Sequence, residues 1–186
     1  MSWVRRLWDG YEVLFARLIG LRSVASGSLL RVRTITYRGQ ALGQGEGVLR
    51  PGDRVLELHL NNRLVSGLAA TGREATFRAL HRARQELPLL LQAAQESDKP
   101  IAGVVGTSLL AVGGRALGFH VQRLPAGPGR RWLALYMRWL GRVYRPQGGP
   151  PVQHRRSDIY VTWVTLGELE RLAAPGAAVV GGEDMS

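Results

Sequence analysis

The chain alternates between two patterns of apolar residues. Five segments have the alternating or continuous apolar pattern of β-strands: 29–37, 55–60, 101–105, 119–124 and 159–165. Four have the three-and-four spacing of helices that bury one side: 73–97, 109–116, 130–145 and 166–173. Pro88 should kink or split the longest helix. This alternation predicts a single α/β domain over 29–173, with a small mixed sheet of about five strands.

An amphipathic helix is predicted ahead of this domain, at residues 1–22. Its apolar side comprises Val4, Leu7, Trp8, Tyr11, Leu14, Phe15, Leu18 and Ile19. A helix with tryptophan beside arginine suits a membrane interface. The apolar side of a helix, however, more often packs on the same domain or on a partner protein. All three alternatives stay open. Residues 174–186 are predicted to form a flexible tail.

Neither a signal peptide nor a membrane span is expected. Asp9, Glu12 and Arg17 interrupt the apolar residues near the start, so no continuous hydrophobic region forms. The charge-free run at 100–114 is rich in glycine and too short to cross a bilayer. We therefore expect a cytoplasmic protein that can also sit peripherally on the inner membrane face.

The net charge of +11 is unevenly distributed along the chain. No acidic residue lies between Asp98 and Asp158, and this stretch contains Lys99 and nine arginines, which is +10 of the +11. These arginines are Arg115, Arg123, Arg130, Arg131, Arg138, Arg142, Arg145, Arg155 and Arg156. Such a field attracts anions, which predicts anionic lipid, a phosphorylated or carboxylated ligand, or nucleic acid as a partner. The plain alternative is a solvated basic surface.

Several kinds of site are excluded or poorly supported by the residues present. The chain has no cysteine, which removes disulfides, thiolate metal ligands and a cysteine nucleophile. Its four histidines are far apart in sequence and form no metal-binding motif, and no serine lies in a G-x-S-x-G turn. No metal and no cofactor are predicted.

The best candidate chemistry lies on the second predicted strand. Glu57, His59 and Asn61 are two residues apart, so a strand projects them from one face, with about 7 Å between neighbours. Asn62 follows at the strand end, where α/β folds place their sites. Glu57 and His59 are candidates for acid–base catalysis, and Asn61 and Asn62 for ligand binding. The alternative is a solvated strand face followed by an asparagine turn.

A second candidate is the segment Gly106-Thr107-Ser108, expected as a turn between a buried strand and a helix. Backbone N–H groups and the hydroxyls of Thr107 and Ser108 would bind an anion there. The segment lacks the lysine and spacing of a P-loop. A simple strand-to-helix turn with Ser108 as the N-cap is the favoured interpretation.

The predicted helix 130–145 is the third candidate, as an anion- or membrane-binding surface. Its arginines flank two tryptophans seven residues apart: Arg130, Arg131, Trp132, Arg138, Trp139, Arg142 and Arg145. Buried tryptophans would reduce it to an ordinary packed helix. Nucleic acid is a weaker alternative, because the sequence has no helix-turn-helix, zinc-finger or RRM signature.

A set of short motifs occurs in order along the chain: Trp8-Asp9-Gly10-Tyr11, the stretch 52–62, Leu87-Pro88, Gly106-Thr107-Ser108-Leu109, Leu117-Gly118-Phe119, Leu124-Pro125 and Tyr144-Arg145-Pro146-Gln147-Gly148. In this order they resemble the YkoP-like domain family of bacteria. The resemblance implies a stand-alone protein or an appendage of a cell-envelope polysaccharide deacetylase, and it implies no particular reaction. The deacetylases' own catalytic motifs are absent, so deacetylation is not expected.

Together with this resemblance, which implies the setting, the observations predict an accessory domain of cell-envelope polysaccharide metabolism that is non-catalytic or has an undetected activity. Its ligand would be anionic, glycan-linked or lipid-linked, and bound near the inner membrane face. One alternative is a small enzyme that uses Glu57 and His59 as an acid–base pair. Another is a nucleic-acid-binding protein that uses the basic segment 99–157.

Overall fold

The fold was established from a computed structural model of the chain. It describes residues 18–44, 47–61, 64, 73–108, 111–125, 127, 130, 133, 135 and 159–174. Most of the predicted N-terminal helix, most of the predicted helix 130–145 and the predicted tail beyond residue 174 lie outside these ranges.

The described residues form six strands and four helices in an α/β arrangement. In chain order they are β1 (Arg22–Ser23), β2 (Leu30–Thr36), β3 (Arg54–Leu60), α1 (Arg73–Gln85), α2 (Leu87–Gln95), β4 (Gly103–Ser108), α3 (Ala111–Ala116), β5 (His120–Arg123), β6 (Tyr160–Thr165) and α4 (Leu166–Ala173). The predicted α/β class is confirmed. The sheet has one strand beyond the predicted five, because β1 is too short to leave an apolar pattern.

All six strands belong to one mixed sheet, in the order β1-β2-β3-β4-β6-β5. The β3–β4 pair is parallel, and every other pair is antiparallel. Because parallel neighbours need a long connection between them, α1 and α2 lie in the β3–β4 crossover. The central strands β3 and β4 thereby bring residues about fifty positions apart into direct contact.

One face of the sheet is covered by helices and carries the main core. Apolar side chains from the strands pack there against α2 and α4, for example Leu56, Val104 and Val164 against Leu90 and Leu169. All five are almost completely buried. Burial of a side chain of this size contributes about 1.5–3 kcal/mol, so this helix-covered face dominates the stability of the fold.

The opposite face has a smaller core, which the segment between β2 and β3 covers. Leu42 and Leu49 form an isolated bridge in that segment, and they pack with Val105 and Trp163 of the sheet. The cover is partial, so the neighbouring part of this face keeps its polar side chains accessible. We call it the polar face, defined by Arg31, Arg33, Glu57, His59 and Thr107.

Pro88 splits the predicted long helix into α1 and α2, with Glu86 at the break. Proline is tolerated in the first turn of α2 because the N–H groups there have no helical acceptor. The buried Glu86 carboxylate accepts hydrogen bonds from the backbone N–H groups of Leu29 and Leu30, both at 2.8 Å, and from the Ser28 hydroxyl. Arg82 Nε lies 3.3 Å from it. We call this arrangement the Glu86 clasp.

The expected turn at Gly106–Ser108 is wrong, because β4 continues to Ser108. Thr107 pairs with Val161, and Ser108 pairs with Tyr160 of β6. Gly106 permits this continuation: a Cβ there would lie 3.2 Å from the Leu58 carbonyl oxygen of the neighbouring strand. Since α3 begins at Ala111, Ser108 is a strand residue and not a helix N-cap.

No helix within the described residues is both long enough and apolar enough to span a membrane.

Candidate functional site

The site is built by the pairing of β2 with β3. In this antiparallel register, Arg33 lies opposite Glu57 and Arg31 lies opposite His59. Because side chains alternate along a strand, these four project from the same side of the sheet. They form a block of polar residues within the polar face, next to the smaller core on that side of the sheet.

Glu57 is the central residue of this block. Its Oε2 atom forms an ion pair with Arg33 Nε, and His59 Nε2 lies 3.2 Å from the same oxygen. Partial burial on its own raises the pKa of Glu57, but the contacts with His59 and Arg33 outweigh it and lower the pKa to about 2. Glu57 is therefore a permanent carboxylate at physiological pH, and it orients the Arg33 guanidinium and the His59 ring beside it.

A groove of about 700 Å³ opens beside Glu57. Its lining includes Arg33, Ile35, Thr36, Tyr37, Arg38, Gly39, Glu57, Val105, Thr107, Leu124 and Val161. These residues come from four strands and from the loops at their ends. The groove thus depends on the pairing of four strands and not on one local motif.

The polar and apolar groups of the groove are separated. Val105 is buried at its floor, with Ile35, Leu124 and Val161 partly buried around it. Arg38 and Thr107 are exposed at its rim. Tyr37 is largely buried, and its hydroxyl donates a hydrogen bond to the Gln40 carbonyl oxygen at 2.7 Å, which fixes the loop that carries Arg38. The arrangement suits a ligand with an anionic group and an apolar portion.

The structure brings together three of the residues that the sequence singled out. Glu57 and His59 are in contact, and Thr107 lines the same groove as Glu57. Asn61 lies just beyond β3, where its backbone N–H donates to the Leu29 carbonyl oxygen at 2.8 Å, and it does not line the groove. Asn62 lies outside the described residues.

Most of the predicted basic surface is also outside the described residues: Arg131, Trp132, Arg138, Trp139, Arg142 and Arg145. Arg130 is described, and its Nη1 donates a hydrogen bond to the Leu124 carbonyl oxygen at 3.3 Å. That bond holds the chain next to a residue of the groove lining. The anion- or membrane-binding role of this segment stays a prediction.

Sequence reasoning missed the arginines of the site. The strand β2 contains Arg31 and Arg33, and Arg38 follows it. The apolar pattern predicts this strand but assigns no function to its arginines. Their spacing of two residues was visible for Arg31 and Arg33. Their position opposite His59 and Glu57 depends on the β2–β3 register, which the sequence does not state.

A second polar cluster lies at the other end of the sheet, around His120. Its ring stacks on Trp163 with a centroid distance of 5.2 Å, and its Nε2 lies 2.7 Å from Glu168 Oε1. Glu168 also caps α4, because its Oε2 accepts hydrogen bonds from the backbone N–H and the hydroxyl of Thr165. This cluster has a structural explanation in the capping of α4.

In the described part of the chain, no group of three or more acidic or histidine side chains is arranged to hold a metal ion.

The fold and site define a single-sheet α/β domain with an amphipathic, arginine-lined groove on the face that the described helices leave open. The family model of the YkoP domain matches residues 1–170, so the chain belongs to the YkoP domain family. The match includes the segment ahead of β1 as well as the sheet. Comparison with curated proteins and with solved structures gives no significant match.

Proposed function

We propose that this YkoP domain is a non-catalytic binding domain whose groove takes an anionic ligand with an apolar or glycan portion. The observation that carries the proposal is the placement of Arg33 and Arg38 beside an apolar floor, with Glu57 as the one carboxylate among the described lining residues. Two guanidinium groups against one carboxylate leave a positive charge for the ligand to neutralise.

The contacts of the two arginines support different roles. Arg33 uses Nε to contact Glu57, and a guanidinium has four further N–H donors on its terminal nitrogens. Arg38 is exposed and has no ion-pair partner among the described residues. We infer that Arg33 is held rigidly at the groove and that Arg38 adjusts to the ligand.

The pKa of Glu57 favours a binding or positioning role for this residue over proton transfer by it. A general acid or base works best with a pKa near the operating pH, and the pKa of Glu57 is about 2. A carboxylate held in an ion pair with Arg33 is a weak base, and it has no proton to donate at neutral pH. In the competing proposal of an enzyme with a Glu57–His59 acid–base pair, Glu57 would therefore only orient the imidazole, and proton transfer would fall to His59.

The proposed setting is cell-envelope polysaccharide metabolism, with the ligand met near the inner face of the membrane. This part of the proposal rests on the link with envelope polysaccharide deacetylases that the sequence resemblance implies, and the net charge of +11 supports an anionic partner. Flotation of the full chain with vesicles tests it. Recovery should be higher with phosphatidylglycerol-containing vesicles than with phosphatidylcholine alone, and equal recovery would exclude electrostatic membrane binding.

The ligand site is tested by an NMR titration of the full chain with three probes. N-acetylglucosamine 1-phosphate and glucuronate are anionic, and N-acetylglucosamine is neutral. We expect saturable amide shifts at Arg33, Arg38 and Thr107 with at least one anion, and much weaker binding of the neutral sugar. The absence of saturable groove shifts with both anions would refute the proposal.

A variant pair controls this titration. The substitution Arg38→Gln removes the exposed groove charge, and it should weaken binding of the anion about tenfold, since a charge-assisted hydrogen bond contributes roughly 1.5–3 kcal/mol. Arg115→Gln removes an exposed charge from α3, away from the groove, and should leave binding unchanged. Equal weakening by both substitutions would indicate a non-specific charge effect.

No observation among the described residues favours nucleic acid over a small anion. Nucleic-acid binding typically uses an extended basic track. The groove is instead a single amphipathic depression.

A further inference from the structure

We propose that the anionic group of the ligand is a phosphate ester and that Arg31 and His59 bind it at the end of the groove, together with Thr107. This inference rests on the proposed function, which it makes specific in ligand class and position. Neither Arg31 nor His59 lines the groove itself. They extend the site by one row along the sheet beyond the Arg33–Glu57 pair.

The first argument is a contrast between two arginines on the same strand. Arg33 has an ion-pair partner directly across the β2–β3 ladder, in Glu57. Arg31 lies across from His59, which is not an acid, and it makes no ion pair with any described residue. The same face therefore holds one neutralised and one unneutralised arginine, about 7 Å apart along β2.

The second argument is the burial of unpaired nitrogens. Arg31 Nε and His59 Nε2 are both shielded from solvent, and neither has a hydrogen-bond partner among the described residues. His59 Nε2 approaches Glu57 Oε2 at 3.2 Å without the alignment of a hydrogen bond. A buried unsatisfied polar group is unfavourable, so an anion that accepts a hydrogen bond from Arg31 Nε would remove a penalty there, whereas His59 Nε2 already has the Glu57 carboxylate beside it.

The third argument is that Thr107 lies beside His59 on the neighbouring strand. Leu58 of β3 pairs with Gly106 of β4 in parallel register, so His59 and Thr107 follow that pair on adjacent strands. Adjacent strands are about 5 Å apart, which brings an exposed hydroxyl within reach of a group bound at His59. Arg31, His59 and Thr107 thus offer donors from three neighbouring strands.

This donor set fits a phosphate ester better than a carboxylate. A phosphate monoester carries a charge of about −1.5 to −2 at neutral pH and has three terminal oxygens, enough to accept from a guanidinium, an imidazole and a hydroxyl at once. A carboxylate has two oxygens and a single charge. Glu57 already neutralises Arg33 in this block, so the charge of Arg31 is left for the ligand.

A phosphate bound beside Thr107 also gives the apolar floor of the groove a role. Thr107 pairs with Val161, and Glu57 pairs with Val105, so a phosphate beside Thr107 has apolar side chains next to it within the groove. The substituent esterified to the phosphate would lie over Val105 and Val161. Arg38, at the rim, would contact its polar groups.

The test compares N-acetylglucosamine 1-phosphate with glucuronate on the wild-type chain and on Arg31→Gln. We expect the phosphate to bind the wild-type chain about tenfold more tightly. Arg31→Gln should weaken phosphate binding about tenfold, which is about 1.4 kcal/mol, and glucuronate binding less than twofold, because only the phosphate uses the lost guanidinium. Arg31→Lys should restore part of the phosphate affinity, and Arg115→Gln is the charge-matched control.

The outcomes separate this inference from the proposed function. If glucuronate binds the groove as tightly as the phosphate, or if Arg31→Gln weakens both equally, the phosphate site is refuted while the anion-binding groove stands. If neither anion gives saturable groove shifts, the proposed function fails as well. Urea denaturation of Arg31→Gln verifies that the variant is folded, and Arg31→Lys provides a second folded variant if it is not.

Discussion

Arg33 and Glu57 face each other across the β2–β3 ladder, and their side chains form an ion pair on the face of the sheet that the described helices leave uncovered. The pair is partly shielded from solvent, unlike most ion pairs at protein surfaces. It links the two strands that carry the candidate ligand site, so its strength affects both stability and the shape of the groove.

A double-mutant cycle of Arg33→Gln and Glu57→Gln should give a coupling energy of about 1–2 kcal/mol at pH 7, since contacting charged residues show energies in that range. Urea denaturation of the wild-type chain, the two single variants and the double variant measures it. A coupling energy near zero would show that the ion pair does not stabilise the fold.

The same pair predicts a pH dependence. The pKa of Glu57 is about 2 in the folded chain, below its ordinary value of 4.5. A lowered folded pKa contributes stability that is complete above the ordinary value and is lost as the pH falls towards about 2. The stability difference between the wild-type chain and Glu57→Gln should therefore shrink between pH 5 and pH 3. A constant difference over this range would contradict the assignment.

The Glu86 clasp should be among the most sensitive polar features of the fold. Glu86→Gln replaces one carboxylate oxygen by a donor, so at least one N–H group of Leu29 or Leu30 loses its acceptor in a buried setting. We expect a loss of about 2–4 kcal/mol in the free energy of unfolding. Glu96→Gln, at the exposed end of α2, should change it by less than about 0.5 kcal/mol.

Gly103 and Gly167 should respond in opposite directions to substitution by alanine. A Cβ at Gly103 would lie 2.3 Å from the Val164 carbonyl oxygen, a backbone atom that cannot move away cheaply, whereas one at Gly167 in α4 meets nothing within 4 Å. Gly103→Ala should destabilise the chain by about 1–3 kcal/mol. Gly167→Ala should stabilise it by about 0.5–1 kcal/mol, and thermal melts of both variants test the pair.

Removal of the Glu168 side chain should loosen the start of α4. Burial on its own raises the pKa of Glu168, but the contacts with His120 and Thr165 outweigh it and lower the pKa. Glu168→Ala should cost about 1–2 kcal/mol, with Glu170→Ala as the exposed control in the same helix. The loss should diminish at a pH below the ordinary value for glutamate, since a lowered folded pKa stabilises only above it. A similar loss in both variants would contradict the capping role.

The hydrophobic pattern was sufficient to predict the elements that bury one side. The helix over Leu166–Ala173 was predicted at its observed bounds, and β2, β3 and β6 were predicted to within one residue at each end. Their apolar positions repeat at the period of the element, so local sequence carries the signal. The common face of Glu57 and His59 follows from the same alternation.

Features that depend on pairing between distant segments were not predictable in this way. Gly106 resembles a strand terminator, yet it belongs to β4 because Thr162 and Leu58 pass close to it from the neighbouring strands. Arg31 and Arg33 gain their significance from residues of β3 that lie about 25 positions later in the chain. The clasp around Glu86 likewise joins the α1–α2 break to residues 28–30.

The two faces of the sheet give this domain an unequal tolerance for change. Substitutions among the buried residues of the helix-covered face disturb the packing that keeps the chain folded. Exchanges at exposed positions of the groove, such as Arg38 and Thr107, alter charge and hydrogen bonding with little effect on stability. Under the proposed function, a scaffold divided in this way can acquire a different ligand preference through a few surface exchanges, and such variants should need no compensating changes in the core.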